Sequence, residues 1–337
     1  EGELVEAERD MISGLPDCVL LHIMSFMDAK DVVRTCVLSK QWKDICKRLT
    51  NLTFRDHHLR EIYFRKFASW VLSNRDHSYS LLNLDITSEV EVDVLNMIMK
   101  YVVSHNVQQL IMHIVISNIP TLYSPPFIFS CGSLTFLKLS GMCDPYTILL
   151  PKSIYLPALK SLHLESVNFT TTNNECAEPF SNCHVLDALY LENCSMHNNT
   201  QVLHISNPTL SRLKIRSYNL LFDRKAYKIA LSTPNLRSFS IRGIVGHQLS
   251  STCNLSLLGP VSFGMSLVTN SIILGWLQGL ANVKILTLTS FTLQEIYDVS
   301  YFLLIFCIFV YLNAQNMFTF TCHFFSSTLS CISKYAF

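Results

Sequence analysis

The chain has 337 residues, of which 49% are hydrophobic and 15% charged, with 26 Lys and Arg against 25 Asp and Glu. That composition provides a sizeable core and excludes collagen-like and disordered low-complexity chains. A net charge of +1 lacks the basic excess of a dedicated nucleic-acid binder, so no nucleic-acid partner is expected. The twelve cysteines are scattered and none has CxxC spacing, which gives no support to a zinc site; no metal and no cofactor are predicted.

The first nine residues form an acidic tail. Glu1 to Asp10 lacks the cationic start and apolar run of a signal peptide. This predicts an intracellular protein, nuclear and/or cytoplasmic, with reduced thiols. On that reading the Asn-x-Ser/Thr sites at Asn51, Asn168, Asn193, Asn198 and Asn254 are chance occurrences.

Three short helical patterns follow within residues 10–54. Val19, Leu20, Ile23, Met24 and Met27 recur at helical spacing after Pro16, which suits a helix start. Val32, Val33, Cys36 and Val37 repeat the spacing after Asp28. Trp42, Ile45, Cys46 and Leu49 repeat it again behind Ser39, a natural N-cap. Helices this short are marginal alone and must pack on something.

Leu15-Pro16, Val19-Leu20, Ile23, Ser25-Phe26, Asp31 to Thr35, Leu38 to Lys40 and Trp42 stand in the order of a known module. The segment resembles the F-box, which docks on the Skp-type adaptor of a cullin–RING ubiquitin ligase. The resemblance implies adaptor contacts from Leu15, Pro16, Leu20, Ile23, Val32, Val33, Leu38, Ser39 and Trp42, with Trp42 also anchoring the third helix. Residues 55–80 then read as a helical linker and cap. Its stripe of Ile62, Phe64, Phe67, Trp70, Val71 and Leu72 faces a core.

From residue 81 to 298 one pattern returns, apolar-x-x-apolar-x-apolar. Its copies begin at Leu81, Val107, Leu134, Leu159, Leu186, Leu210, Leu236 and Val283, at intervals of 24 to 27 residues and then 47. The last gap predicts a degenerate unit near Leu255–Phe263. Period and pattern resemble the leucine-rich repeat. The final apolar pair of each copy has period two, so both residues point to one face of a strand, and stacked copies bury that face together. The fold class is therefore α/β: a three-helix F-box followed by an irregular leucine-rich-repeat solenoid with a parallel concave sheet. The Asn/Cys ladder position of regular repeats holds a cysteine once, at Cys194. The whole order resembles plant F-box/leucine-rich-repeat proteins, many of which carry a further small domain; the likeness ends near Gln294.

Residues 299–337 form a hydrophobic tail, uncharged as far as Ser333. Val299 to Ser333 holds no Asp, Glu, Lys or Arg, and Tyr301–Leu312 are twelve consecutive apolar residues. A membrane span needs about 20, and Asn313 to Asn316 interrupt the run. A tail anchor, a buried terminal segment and a reading frame that runs past its usual boundary all stand open, and no function is assigned.

No GxGxxG, P-loop, HExxH or GxSxG occurs, His57 and His58 are adjacent and diverge, and Glu89, Glu91 and Asp93 suit a solvated loop. The chain reads as non-enzymatic, so binding chemistry should lie on the concave face. Outward positions of the strands are Phe136, Lys138, Ser140; Ser161, His163, Glu165; Ala188, Tyr190, Glu192; Arg212, Lys214, Arg216; Ser238, Ser240, Arg242; Ile285, Thr287, Thr289. Neighbouring strands lie about 4.8 Å apart, so the row Glu165, Glu192, Arg216, Arg242 changes sign midway. The predicted target-binding set is His163, Tyr190, Glu192, Arg212, Lys214, Arg216 and Arg242, with Tyr190, Lys214 and Arg216 anchoring a partner that carries acidic groups. The resemblance implies a substrate-recognition subunit that acts by proximity. The alternatives are a leucine-rich-repeat scaffold or decoy with a vestigial F-box, and a membrane-attached form of it.

Overall fold

The computed structural model describes residues 12, 14–56, 61–116, 122–123, 128–141, 147–171, 176–197, 201–218, 226–243, 246–251, 255, 258–265, 270–280, 283, 285–289, 292 and 319–320. They fall into two compact units, Glu1–Asn118 and Ile119–Phe337. The acidic tail 1–9, His57, His58 and almost all of 299–337 lie outside the described residues.

The first unit opens with helices α1 (Asp17–Met24), α2 (Ala29–Thr35) and α3 (Lys40–Cys46). Pro16 precedes α1, Asp28 Oδ1 accepts from Lys30 N at 2.8 Å, and Ser39 Oγ accepts from Trp42 N at 3.4 Å. Packing holds these short helices: Leu20, Met24, Ala29, Val32, Trp42, Ile45 and Leu49 are all buried, and α3 contacts both α1 and α2. Gln41 Nε2 donates to Asp17 Oδ1 at 2.9 Å and Arg48 pairs with Asp17 at 3.3 Å, which ties α3 to the start of α1. The packing of α2 on α3 brings Cys36 and Cys46 together, with Cα atoms 7.1 Å apart, two positions that sequence spacing does not pair.

Strand β1 (Asn51–Asp56), helix α4 (Glu61–Ser73), β2 (Asn83–Val90), α5 (Val92–Ser104) and β3 (Gln109–Ile116) complete this unit. The strands are parallel and in register: Leu52, Leu84 and Leu110 align, as do Phe54, Ile86 and Met112. The repeat thus begins with Leu49/Leu52/Phe54, one copy before residue 81. The expected boundaries at 54 and 55 cut through its first strand because Leu49 serves both the helical core and the repeat. Phe64 and Phe67 of α4 meet Phe54 edge-on at 6.1 and 6.0 Å. Trp70, expected in the core, is 51% exposed; it lies on the far side of α4 from Phe64, Ala68 and Val71. Arg75 is 5% exposed, and its guanidinium donates to the Leu49 carbonyl, to Tyr79 O at 3.3 Å and to Tyr101 Oη at 3.2 Å. One buried cation therefore links the end of the helical module to α5.

In the second unit come β4 (Leu122–Tyr123), β5 (Phe136–Gly141), β6 (Thr147–Leu150), β7 (Ser161–Glu165), β8 (Val167–Phe169), β9 (Cys176–Ala177), β10 (Ala188–Glu192) and β11 (Ser195–Met196). Next are β12 (Val202–Ser206), β13 (Arg212–Ser217), β14 (Lys228–Ser232), β15 (Ser238–Gly243), β16 (Gln248–Ser251) and β17 (Pro260–Met265). Helix α6 (Asn270–Gly279), β18 (Ile285–Leu288) and β19 (Thr319–Phe320) finish the order. The concave strands pair in parallel as β5-β7-β10-β13-β15-β17-β18-β19. β17 supplies the degenerate copy, Leu258/Val261/Phe263, with all three residues buried.

From β5 to β15 register is set at the strand heads, where one carbonyl accepts two N–H groups from the next copy. Thr135 O takes Lys160 N and Ser161 N at 2.8 and 3.2 Å, Lys160 O takes Asp187 N and Ala188 N at 2.9 and 3.0 Å, and Asp187 O takes Ser211 N and Arg212 N at 2.9 Å each. The same device appears in the first unit, where Leu82 O accepts from Gln108 N and Gln109 N at 3.0 and 2.9 Å. Outside the concave sheet the connections carry strands, in two four-stranded parallel sheets, β4-β6-β8-β11 and β9-β12-β14-β16. Cys194 sits buried at its ladder position with Sγ 3.5 Å from Leu164 O and Glu192 O. Asn207, three residues before the Leu210 copy, is also buried; its Nδ2 donates to Phe180 O at 3.1 Å and Cys183 O at 2.9 Å.

His247 is 2% exposed; its Nδ1 accepts from Tyr227 N at 3.3 Å and its Nε2 contacts Ser217 Oγ at 3.1 Å. Trp276 Nε1 of α6 donates to His247 O at 2.6 Å, while its ring meets Phe239 and Phe263 at 5.9 and 5.7 Å. Burial pushes the His247 imidazole down to about 4 from its ordinary 6.5. A group depressed on folding contributes stability above its unfolded pKa and loses it as pH falls through the folded one. Stability should therefore drop by up to about 3 kcal/mol between roughly pH 6.5 and 4. Replacing His247 with Gln should flatten that part of the thermal-midpoint-against-pH curve. Arg75→Met should leave the Leu49 and Tyr79 carbonyls without their donor at a cost of about 1–3 kcal/mol, read by chemical denaturation.

Candidate functional site

Two surfaces carry the residues singled out by the sequence, one in each unit. On the helical module a patch of large apolar side chains faces outward: Ile23 is 40% exposed, Leu38 64%, Phe26 79% and Val37 86%. Val19, Ile23 and Phe26 follow i, i+4, i+7 spacing along one side of α1 and its C-terminal turn. Pro16 is exposed, Leu15 and Val33 are half-buried, and the Leu15 carbonyl is held by Gln41 Nε2 at 3.4 Å. Monomeric proteins rarely leave so much apolar surface together unless something covers it.

Three of the expected adaptor contacts do not lie on this surface. Leu20 is 0% exposed, Val32 3% and Trp42 5%. They point into the three-helix core because helical spacing alternates inner and outer residues along the same apolar run. Their contribution is to position Ile23, Val33 and Leu38. Ser39 is half-buried, with its hydroxyl engaged in capping α3. Val19, Phe26 and Val37 were not among the expected contacts. Val19 and Phe26 stand in the motif itself, and Val37 neighbours Leu38 at the end of α2, so neighbouring positions were a usable signal.

On the concave sheet the expected rows form. Lys138, His163, Tyr190, Lys214 and Ser240 align strand by strand, and Ser140, Glu165, Glu192, Arg216 and Arg242 form the next row. The Phe136 and His163 rings lie 5.0 Å apart and those of His163 and Tyr190 4.1 Å apart, which makes an aromatic strip across three strands. His163 is half-buried and its Nε2 contacts Ser161 Oγ at 3.1 Å. Burial, with Lys138 and Lys214 adding repulsion, pushes it down to about 4, so the ring is neutral at physiological pH.

Several expected contacts are already engaged within the fold. Arg212 pairs with Asp187 at 2.5 Å, and the Ser211 hydroxyl together with Arg212 holds the Asp187 carboxyl below its usual range. Glu165 accepts from Ser140 Oγ at 2.9 Å, and Glu192 stands 3.9 Å from Arg216. Arg242 Nη2 donates to Ser262 Oγ at 3.1 Å. Ala188 and Ser140, expected outward, are 1% and 8% exposed. Among the described residues, no acidic side chain lies within 4.0 Å of Lys138, Lys214 or Arg242.

Among the described residues no cluster of His, Cys, Asp or Glu could hold a metal ion, and no helix is long and apolar enough to cross a membrane. The family model described as "F-box domain" matches residues 12–54, and the one described as "FBD-associated F-box protein At5g56370, LRR repeats" matches residues 95–307. The second match runs past Gln294, where the resemblance was expected to stop. F-box/LRR-repeat protein At2g42730 of Arabidopsis thaliana is 30% identical over 86% of this chain and 67% of its own length. Two others of that organism are putative F-box protein At1g58310, 29% identical over 85% of this chain, and F-box/LRR-repeat protein At3g58980, 28% identical over 83%. The chain spans only 64% and 50% of the lengths of these two. The helical module with its outward apolar face, the parallel repeats that follow it in the chain and these likenesses lead to one conclusion: the chain belongs to the plant F-box/leucine-rich-repeat family.

Proposed function

We propose that the protein is the substrate-recognition subunit of an SCF-type ubiquitin ligase. Its F-box docks a Skp-type adaptor and through it a cullin, and its repeats hold a target protein. The observation that carries this reading is the exposed apolar face of α1 and the end of α2, built from Val19, Ile23, Phe26, Val37 and Leu38 over a buried core. The chain supplies no reacting group on this reading. It raises the local concentration of target lysines beside a ubiquitin-loaded enzyme, a gain that comes from proximity alone. The setting is intracellular, nucleus and/or cytoplasm.

The exposed and buried halves of the motif separate binding from folding. Ile23→Asp or Leu38→Asp should cut adaptor capture at least about tenfold, the loss expected when an interface anchor becomes charged, with little change in thermal midpoint. Leu20→Ala, which opens a cavity, should instead cost about 2–5 kcal/mol of stability. Pull-down by the adaptor alongside thermal denaturation reads both. A folded wild-type chain that captures no adaptor would overturn the reading and leave a repeat scaffold with a vestigial F-box.

A further inference from the structure

Cys36 caps the end of α2 and Cys46 is the last residue of α3, and the packing of the two helices turns their side chains toward each other across Cα atoms 7.1 Å apart. Cys36 Sγ lies 3.5 Å from Val32 O and Cys46 Sγ 3.2 Å from Lys43 O, so each sulfur is placed by its own helix. Both residues are half-buried and within reach of a small solute. Among the other described cysteines, Cys18, Cys131, Cys176, Cys183 and Cys194 stand free of one another. Val37 and Leu38, 86% and 64% exposed, follow Cys36 directly in the chain. The turn that carries them is held by Cys36 N donating to Val33 O at 3.1 Å and Leu38 N donating to Thr35 O at 3.0 Å. A pair of thiols thus sits at the root of the outward apolar face.

We propose that Cys36 and Cys46 form a thiol switch on adaptor docking, open when reduced and closed to a disulfide by hydrogen peroxide. Resting on the ligase reading above, this names a regulation of the same face. The thiolate of Cys46 attacks one peroxide oxygen, which leaves a sulfenic acid and hydroxide. The thiolate of Cys36 then attacks that sulfur, forms the S–S bond and expels a second hydroxide. In sum two thiols lose two electrons and two protons, and one peroxide becomes two waters. A dithiol reductant reverses the step by exchange and is itself oxidised. In a reducing compartment such a bond is transient and redox-sensing rather than structural. Bridged Cα atoms usually stand about 4.4–6.8 Å apart, so closure draws the end of α2 toward α3. It also makes a ring of residues 36–46 with Val37, Leu38 and the α3 cap Ser39 inside. Interface anchors act through close packing in the partner's pockets, and a ring this short moves two of them and removes their freedom to adjust.

The test uses the full chain, reduced and then treated with hydrogen peroxide, beside Cys36→Ser, Cys46→Ser and Cys18→Ser. Peptide mapping by mass spectrometry without reductant reads the bond, adaptor pull-down reads docking, and thermal midpoint shows that each sample is folded. The expected result is a Cys36–Cys46 linked peptide in peroxide-treated wild type and Cys18→Ser, with adaptor capture weakened at least about fivefold and restored by dithiothreitol. Cys36→Ser and Cys46→Ser should capture adaptor like reduced wild type and keep that capture in peroxide. Folded wild type that forms no Cys36–Cys46 link would overturn the switch, as would a complete link with capture unchanged. A peroxide effect that persists in both Cys36→Ser and Cys46→Ser would assign it to other thiols and overturn the switch too. Capture by the reduced chain that ignores the link leaves the ligase reading intact, whereas no capture by the folded, reduced chain overturns that reading and the switch with it.

Discussion

The shared carbonyl at the heads of the concave strands from β5 to β13 is the constraint on which the rows of the concave face depend. One acceptor receives two successive N–H groups, so the next copy can enter only in one phase. Lys160 O fixes Asp187 and Ala188, Asp187 O fixes Ser211 and Arg212, and Ser211 O fixes Arg237 and Ser238. Because side chains alternate along a strand, a slip of one residue would turn every buried leucine outward. The device therefore decides at once which residues make the core and which line up as rows.

Burial then follows from phase. Leu162, Leu189, Leu213, Phe239 and Val261 stack behind the sheet, each at 2% exposure or less, while His163, Tyr190 and Lys214 stand in front. The same stack holds helix α6, since Trp276 reaches Phe239 and Phe263 with its ring and the His247 carbonyl with its nitrogen. The first unit solves the problem of joining helices to strands differently, with Leu49 counted in both cores and Arg75 bridging Leu49, Tyr79 and Tyr101.

Much of this was legible in the sequence. The interval near 26 residues and the apolar triplets located the concave strands, and the row from Glu165 to Arg242 formed as the alternation required. The copy at Leu49/Leu52/Phe54 escaped because the helical motif claimed Leu49 first. The inner and outer sides of the F-box were not separable either. Its helices are seven or eight residues long, too short for periodicity to say which of Leu20 and Ile23 is covered. Arg75 offered no signal, since nothing in a linear string marks a cation that folds back on three carbonyl and hydroxyl groups. Engagement of Arg212 by Asp187 was hidden for the same reason: the partners are 25 residues apart and meet only through register.

The connections behind the sheet differ in length and in kind, yet the strands in front keep phase. Copy length varies by three residues across the regular run, and one stretch is covered by short outer strands while another carries α6. Spacing errors are absorbed at the back, so each copy contributes one column to the front independently of its neighbours' bulk. The chemistry of the front can then change by altering the letters of a single column, such as His163 or Lys214, with no compensating change elsewhere. A scaffold of this kind can diversify its concave surface one position at a time while its architecture stays the same.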